Sequence, residues 1–282
     1  MPSFDTPKPI SATVTFRVGA LRITAGERAD TVVDVRPSSA TVEADIKAAE
    51  RTRVEFANGK LLVKGPRERS MFGKAPSIDV DIALPAGSEL HATTVMAHIT
   101  SEGGLGDCEF KTSAGDIQIE RAAAAKLVTG YGDISLGRAS GSVEVHTSSG
   151  EVRLGEVEGT VEIKNSNGIT ALGDIQGDIQ VKASNGSVTI DRAAADVSVK
   201  TANGAVRVGE VARGATVVES AAGKIEIGIR EGTAAWLDVR TKAGSVSQAL
   251  EESGSPEASG GPVDTLKVHA RTGIGDIKIH RA

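Results

Sequence analysis

"NSNG" (residues 165–168), "ASNG" (183–186) and "TANG" (201–204) repeat an Asn-Gly pair at intervals of 18 residues. Asn-Gly is a strong hairpin signal, because both residues tolerate positive φ. A meander would use the pair as a hairpin turn. A β-solenoid would use it as a corner, turned once per coil. The residues around it decide. The glycine after each polar turn defines an anchor at Gly115, Gly132, Gly150, Gly168, Gly186, Gly204, Gly223, Gly244 and Gly275. The anchors are spaced by 17, 18, 18, 18, 18, 19, 21 and 31 residues. A degenerate earlier copy is centred on Ala97. Self-similarity at a fixed short period is the mark of a repeat architecture.

Two and four residues after the anchors lie pairs such as Ile117/Ile119, Val152/Leu154, Val188/Ile190 and Val206/Val208. Seven and five residues before them lie Cys108/Phe110, Val143/Val145, Val161/Ile163, Ile179/Val181 and Val197/Val199. The residues between are mostly polar. This period-two alternation gives each repeat two short half-buried strands. The position three before the anchor reads Thr112, Thr129, Thr147, Asn165, Ala183, Thr201, Ser220, Thr241 and Thr272. The position just before it holds Asn167, Asn185 and Asn203 in succession. A meander gives no reason for like residues at equivalent positions, whereas parallel stacking places like on like, where amides hydrogen-bond along a ladder. The sequence therefore predicts an all-β, single-chain parallel β-solenoid (a β-helix) with two-strand coils of about 18 residues.

Residues 1–88 carry the alternation less regularly and are expected to form an N-terminal cap. Within it, Val42, Ile46 and Ala49 fall at helical spacing after Pro37 and predict one short helix. "TRVEFANGKLLVKG" (52–65) reads as another strand, corner and strand. Residues 89–282 form the regular solenoid, interrupted at 251–262 by "EESGSPEASGGP", which is expected to be a mobile loop. The chain stops on "GDIKIHRA" (275–282), which reads as an end coil whose open edge is blocked by Lys278, His280 and Arg281.

Among 282 residues there are 33 glycines and only 2% aromatics, as suits thin aliphatic layers joined by regular turns. The net charge of −5 argues against bulk nucleic-acid binding. A single cysteine, Cys108, excludes an intrachain disulfide. "MPSFDTPKPISATVTF" (1–16) has no basic segment followed by an apolar run, and no stretch approaches the roughly 20 apolar residues of a membrane span. The expectation is a cytoplasmic protein without membrane insertion.

The opening "MPSFDTPKPISATV", "ADTVVDVRP" (29–37), "VEIKNSNG" (161–168), "VKTANGAVRVGEVARGA" (199–215) and "GIREGTAAWLDV" (228–239) resemble the bacterial β-strand-repeat family whose members are called "putative adhesins". The resemblance covers essentially the whole chain. It implies a β-solenoid of undefined function, with no agreed catalytic residues.

Candidate sites are few. His91, His98, His146, His269 and His280 sit too far apart on the repeat map to assemble a metal site or a triad. Cys108 falls in an inward column and reads as a small buried apolar residue. "GDIQGDIQ" (173–180) lacks the tandem nonapeptides of calcium-binding β-rolls. Asp116, Asp133 and Asp276 share a column that Ile169, Ser187 and Ala205 interrupt. No catalytic residue, cofactor or metal is assigned. The outward column four before the anchor is different, with Lys164, Lys182 and Lys200 on consecutive coils about 5 Å apart. It is either a solvated face, paired with acids such as Glu162, or a stripe that binds a linear anion. The expected function is a non-enzymatic scaffold or protein-interaction module that engages an unknown protein or itself. A weak binder of an anionic polymer or partner is the alternative, and a solenoid carbohydrate-active enzyme the second alternative.

Overall fold

Period-two alternation becomes strands with one buried and one outward face. The computed structural model describes residues 1–66, 75–249 and 265–282. The loop expected at 251–262 lies outside the described residues. The chain falls into two compact units, Met1–Gly141 and Ser142–Ala282.

The first unit holds β1 (Ser3–Asp5), β2 (Ser11–Thr15), β3 (Val18–Gly26), β4 (Asp30–Pro37), α1 (Glu43–Glu50), β5 (Arg53–Ala57), β6 (Lys60–Lys64), β7 (Ser77–Pro85), β8 (Glu89–Thr93), β9 (Met96–Leu105), β10 (Cys108–Lys111), β11 (Ile117–Ala122), β12 (Ala125–Tyr131) and β13 (Ile134–Ala139). Its two sheets run β1-β4-β7-β3-β9-β11-β13 and β5-β6-β2-β8-β10-β12. Pairing is parallel from β7 and β6 onward, and antiparallel only where β1, β4 and β5 cover the start. The expected short helix is α1, but its buried face is Asp45 and Ala48 rather than Val42, Ile46 and Ala49. Asp45 accepts the backbone N–H of Ser77 at 2.8 Å, which ties the helix to the start of β7. That bond, and not apolar periodicity, sets which side faces inward.

The second unit holds β14 (Val143–Ser149), β15 (Val152–Val157), β16 (Val161–Asn167), β17 (Thr170–Ile175), β18 (Ile179–Asn185), β19 (Val188–Ala193), β20 (Val197–Asn203), β21 (Val206–Val211), β22 (Gly214–Ala222), β23 (Ile225–Ile229), β24 (Ala234–Ala243), β25 (Val246–Ala249), β26 (Thr265–Ile274) and β27 (Ile277–Arg281). Its sheets run β14-β16-β18-β20-β22-β26-β24 and β15-β17-β19-β21-β23-β27-β25. The solenoid is confirmed residue by residue. Val145 pairs with Ile163, Ile163 with Val181 and Val181 with Val199, all parallel and all fully buried.

Two local expectations are corrected. Asn58-Gly59 is not a solenoid corner. It joins β5 to β6 as an antiparallel hairpin, with Ala57 opposite Lys60 and φ of 51° and 72° at the two turn residues. At the 18-residue repeat, by contrast, only the glycine takes positive φ, and the asparagine ends the strand before it. Nor is "GDIKIHRA" an end coil. β27 lies between β23 and β25, so the edge belongs to β24 and β25. The reason lies in the inward columns. Leu154, Leu172, Ile190, Val208, Ile227 and Ile279 form one buried apolar row, and Gln248 is the next residue in register. A polar side chain is tolerated at an exposed terminal coil and is costly inside.

The corners explain the repeat. Gly186 has φ +137°, and a Cβ there would lie 2.0 Å from the carbonyl oxygen of Gly168 one coil earlier. Truncation of Val181 to Ala is expected to cost about 1–3 kcal/mol in urea denaturation, through lost burial and a residual cavity. Gly186→Ala is expected to cost more than Val181→Ala, because the new atom meets backbone on both counts, position and φ. A smaller loss at Gly186 would contradict the stacked-corner geometry.

Candidate functional site

Parallel register turns each outward position into a row. Lys164, Lys182 and Lys200 are directly paired across β16, β18 and β20, with His146 before them and Glu219 after. Like charges stacked this way repel, and the ends of the row are compensated. Lys164 Nζ lies 2.7 Å from Glu162 Oε1 and 3.4 Å from His146 Nε2. Lys200 Nζ lies 2.9 Å from Glu219 Oε2. Lys182, in the middle, makes no ion pair within 4.0 Å among the described residues. The hydrogen bond and charge of Lys164 hold the Glu162 carboxyl below its usual value, helped by Lys182 and His146. Lys200 does the same for Glu219.

The asparagine row does what stacking predicts. Asn185 Nδ2 donates to Asn167 Oδ1, and Asn203 Nδ2 to Asn185 Oδ1, each at 3.0 Å. The threonine row is buried except at Thr241 and bonds differently, with the hydroxyls of Thr147 and Thr201 making no hydrogen bond among the described residues. Thr112, Thr129, Thr241 and Thr272 each donate from Oγ1 to a carbonyl at a corner, as in Thr272 to Gly223 at 3.0 Å and Thr241 to Gly275 at 2.9 Å. These hydroxyls cap corner carbonyls instead of one another.

The aspartates of the corner column are structural as well. Asp116 Oδ1 accepts the N–H of Asp133 at 2.9 Å, and Asp276 Oδ1 accepts the N–H and hydroxyl of Ser245 at 2.8 Å. Asp276 is accordingly held below the ordinary carboxylate value by its bonds to Ser245. Each of the five histidines lies beside a carboxylate: His91 by Glu109, His98 by Asp116, His146 by Glu144, His269 by Asp238 and His280 by Glu226. Among the described residues no two of them share one acid. Among the described residues no group of three His, Cys, Asp or Glu side chains could hold a metal ion. Cys108 is 5% exposed, and burial, with Asp107 nearby, pushes its thiol up to about 12. It is a protonated core residue at neutral pH.

A second charged row was not singled out from the sequence. Asp174, Arg192 and Glu210 are in register on β17, β19 and β21. Arg192 lies 2.7 Å from Asp174, and Arg230 2.7 Å from Glu210. With Arg213 these side chains line an open groove of about 300 Å³. The signal was available, since the sixth residue after Gly168, Gly186 and Gly204 alternates in sign.

The sequence matches the family model Toastrack DUF4097 over residues 20–280. The chain belongs to that family. The function of the DUF4097 family is undefined, and the resemblance read from the repeat is thereby shown. Solved structures similar to this DUF4097 chain include a "putative adhesin" from Bacteroides fragilis, 10% identical, with TM-score 0.33, covering 99% of this chain and 95% of that one. A "putative cell adhesion protein" from Clostridium sporogenes is 13% identical, with TM-score 0.23 and coverage of 100% and 98%. A "putative adhesin" from Parabacteroides distasonis is 11% identical, with TM-score 0.30 and coverage of 98% and 95%. No curated protein matches the chain.

The depressed Glu162 value carries a sign. A carboxyl whose folded value lies below its ordinary 4.5 stabilises the fold above 4.5, and this contribution is lost as pH falls through the lowered value. Lys164→Gln removes the largest cause. Carboxyl NMR titration is expected to show Glu162 moving back up towards 4.5 in that variant. An unmoved titration would mean that the ion pair does not persist in solution.

Proposed function

We propose that this DUF4097 chain is a non-enzymatic cytoplasmic scaffold whose outward rows form a protein-interaction surface. The reading is supported by one observation above others. Outward side chains repeat in strict register, as in Glu162, Gln180 and Ser198 on β16, β18 and β20. Such a surface is preorganised by the backbone ladder, so a partner that docks on it does not have to order it first. The test is a photo-crosslinking residue placed at Gln180, used in native extract and compared with the same residue at Glu55 on the outermost strand β5. Capture of a discrete protein species from Gln180 alone supports the reading. Equal labelling from both positions, or none from Gln180, sinks it.

A second reading is favoured by Lys182, which stands between two lysines with no ion pair of its own among the described residues. In that reading the row Lys164, Lys182 and Lys200 binds a linear polyanion weakly and in a salt-sensitive way. Replacing all three by Gln should leave the melting temperature nearly unchanged, since exposed charges contribute little to stability. The same change is expected to abolish low-salt retention on immobilised heparin. Retention equal to that of the unaltered chain would return the row to a solvated face.

A further inference from the structure

The second unit ends on a coil whose outer side pairs with no other strand among the described residues. Among the described residues β24 pairs only with β26, and β25 only with β27. Leu237 and Val239 are half-buried on β24, while Val268 and Ala270 beside them on β26 are fully buried. The first unit is finished differently, by the antiparallel strands β1 and β5, whose Phe4 and Phe56 rings lie 5.2 Å apart. An edge of ten residues with no strand beyond it among the described residues presents a row of unpaired backbone groups, a template for another strand. It also carries Trp236, the only tryptophan of the chain, at 63% exposure, with Val246 at 41% on the neighbouring edge strand.

The sequence of this edge, "AAWLDVRTKA" (234–243), is complementary to itself. In an antiparallel pair with its own copy centred on Val239, Asp238 stands opposite Arg240 and Trp236 opposite Lys242. A two-fold axis makes each contact twice. Opposite charges directly across an antiparallel pair attract, and an ammonium over an indole face adds a cation–π contact. Neighbouring registers fail. Centring on Asp238 sets that carboxylate against itself, and centring on Arg240 sets guanidinium against guanidinium. Within one copy Asp238 already faces Arg240, Arg271 and His269 at 3.0–3.4 Å. One carboxylate beside two guanidinium groups and an imidazole can exchange its own Arg240 for that of a second copy and still face a cation.

We propose that β24 is a dimerisation edge, pairing antiparallel with β24 of a second copy in the register centred on Val239. The proposal is independent of what the outward rows bind. Analytical ultracentrifugation over a concentration series is expected to show a monomer–dimer equilibrium. Trp236 emission should shift to shorter wavelength along the same curve, because the indole becomes covered. Arg240→Asp, at a side chain 71% exposed and so harmless to folding, puts two carboxylates face to face in each half of the pair. It is expected to weaken dimerisation at least about tenfold. The proposal is overturned if the chain stays monomeric at every concentration. It is equally overturned if a dimer forms without moving Trp236 emission, or if Arg240→Asp leaves the dimerisation constant unchanged.

Discussion

The fold depends on one close approach, the stacking of a glycine on the carbonyl of the glycine one coil earlier. Gly168, Gly186, Gly204 and Gly223 each have a φ between +133° and +156°, and a Cβ at any of them would sit 2.0 Å from the oxygen below. The strand spacing leaves no room for a side chain at a corner this tight. Once the corners coincide, register is fixed for both strands of every coil. The buried columns, the asparagine row and the charged rows all follow from that single alignment. A slip of one residue would turn Val181 outward and Lys182 into the core.

Register has a cost as well as a benefit. Stacking like on like serves apolar columns and amide rows, but it also lines up like charges. The chain resolves this in two ways. Along the lysine row it places acids at the flanks, with Glu162 beside Lys164 and Glu219 at the far end by Lys200. Along the groove it alternates sign within the row itself, from Asp174 to Arg192 to Glu210. The two solutions leave different surfaces. The alternating row is paired carboxylate to guanidinium, Asp174 with Arg192 and Glu210 with Arg230, whereas the flanked row keeps an excess of positive charge around Lys182.

What could be read from the sequence follows the same division. Parallel stacking, the inward columns and the asparagine row were legible, because each needs only spacing and residue type. The stacking order of the terminal coils was not, because spacing is the same whichever coil lies outside. The first full coil, β2–β3, lies between β6–β7 and β8–β9, and the last, β26–β27, lies between β22–β23 and β24–β25. Gln248 held the clue, as a polar residue in an apolar column. The Asn58-Gly59 turn was misread for a related reason. The dipeptide permits a hairpin and a corner alike, and only the φ of the asparagine separates them, at 51° in the hairpin. Of the candidate site, the lysine row was legible from its period, while the arginine groove was visible only once three coils were laid side by side.

Placing the chain's last coil inside the ladder has a physical consequence. A terminal coil at the edge has neighbours on one side and frays readily. β26 and β27 have neighbours on both sides, so opening that coil must break two ladders instead of one. Arg281 strengthens the anchorage by donating to the carbonyls of Arg230 and Thr233 at 3.1 and 2.9 Å. Among the described residues the edge belongs instead to the coil β24–β25, which precedes β26–β27 in the chain. An edge strand paired along one side is already extended, so a second strand that docks on it meets less ordering entropy than one that docks on a free segment.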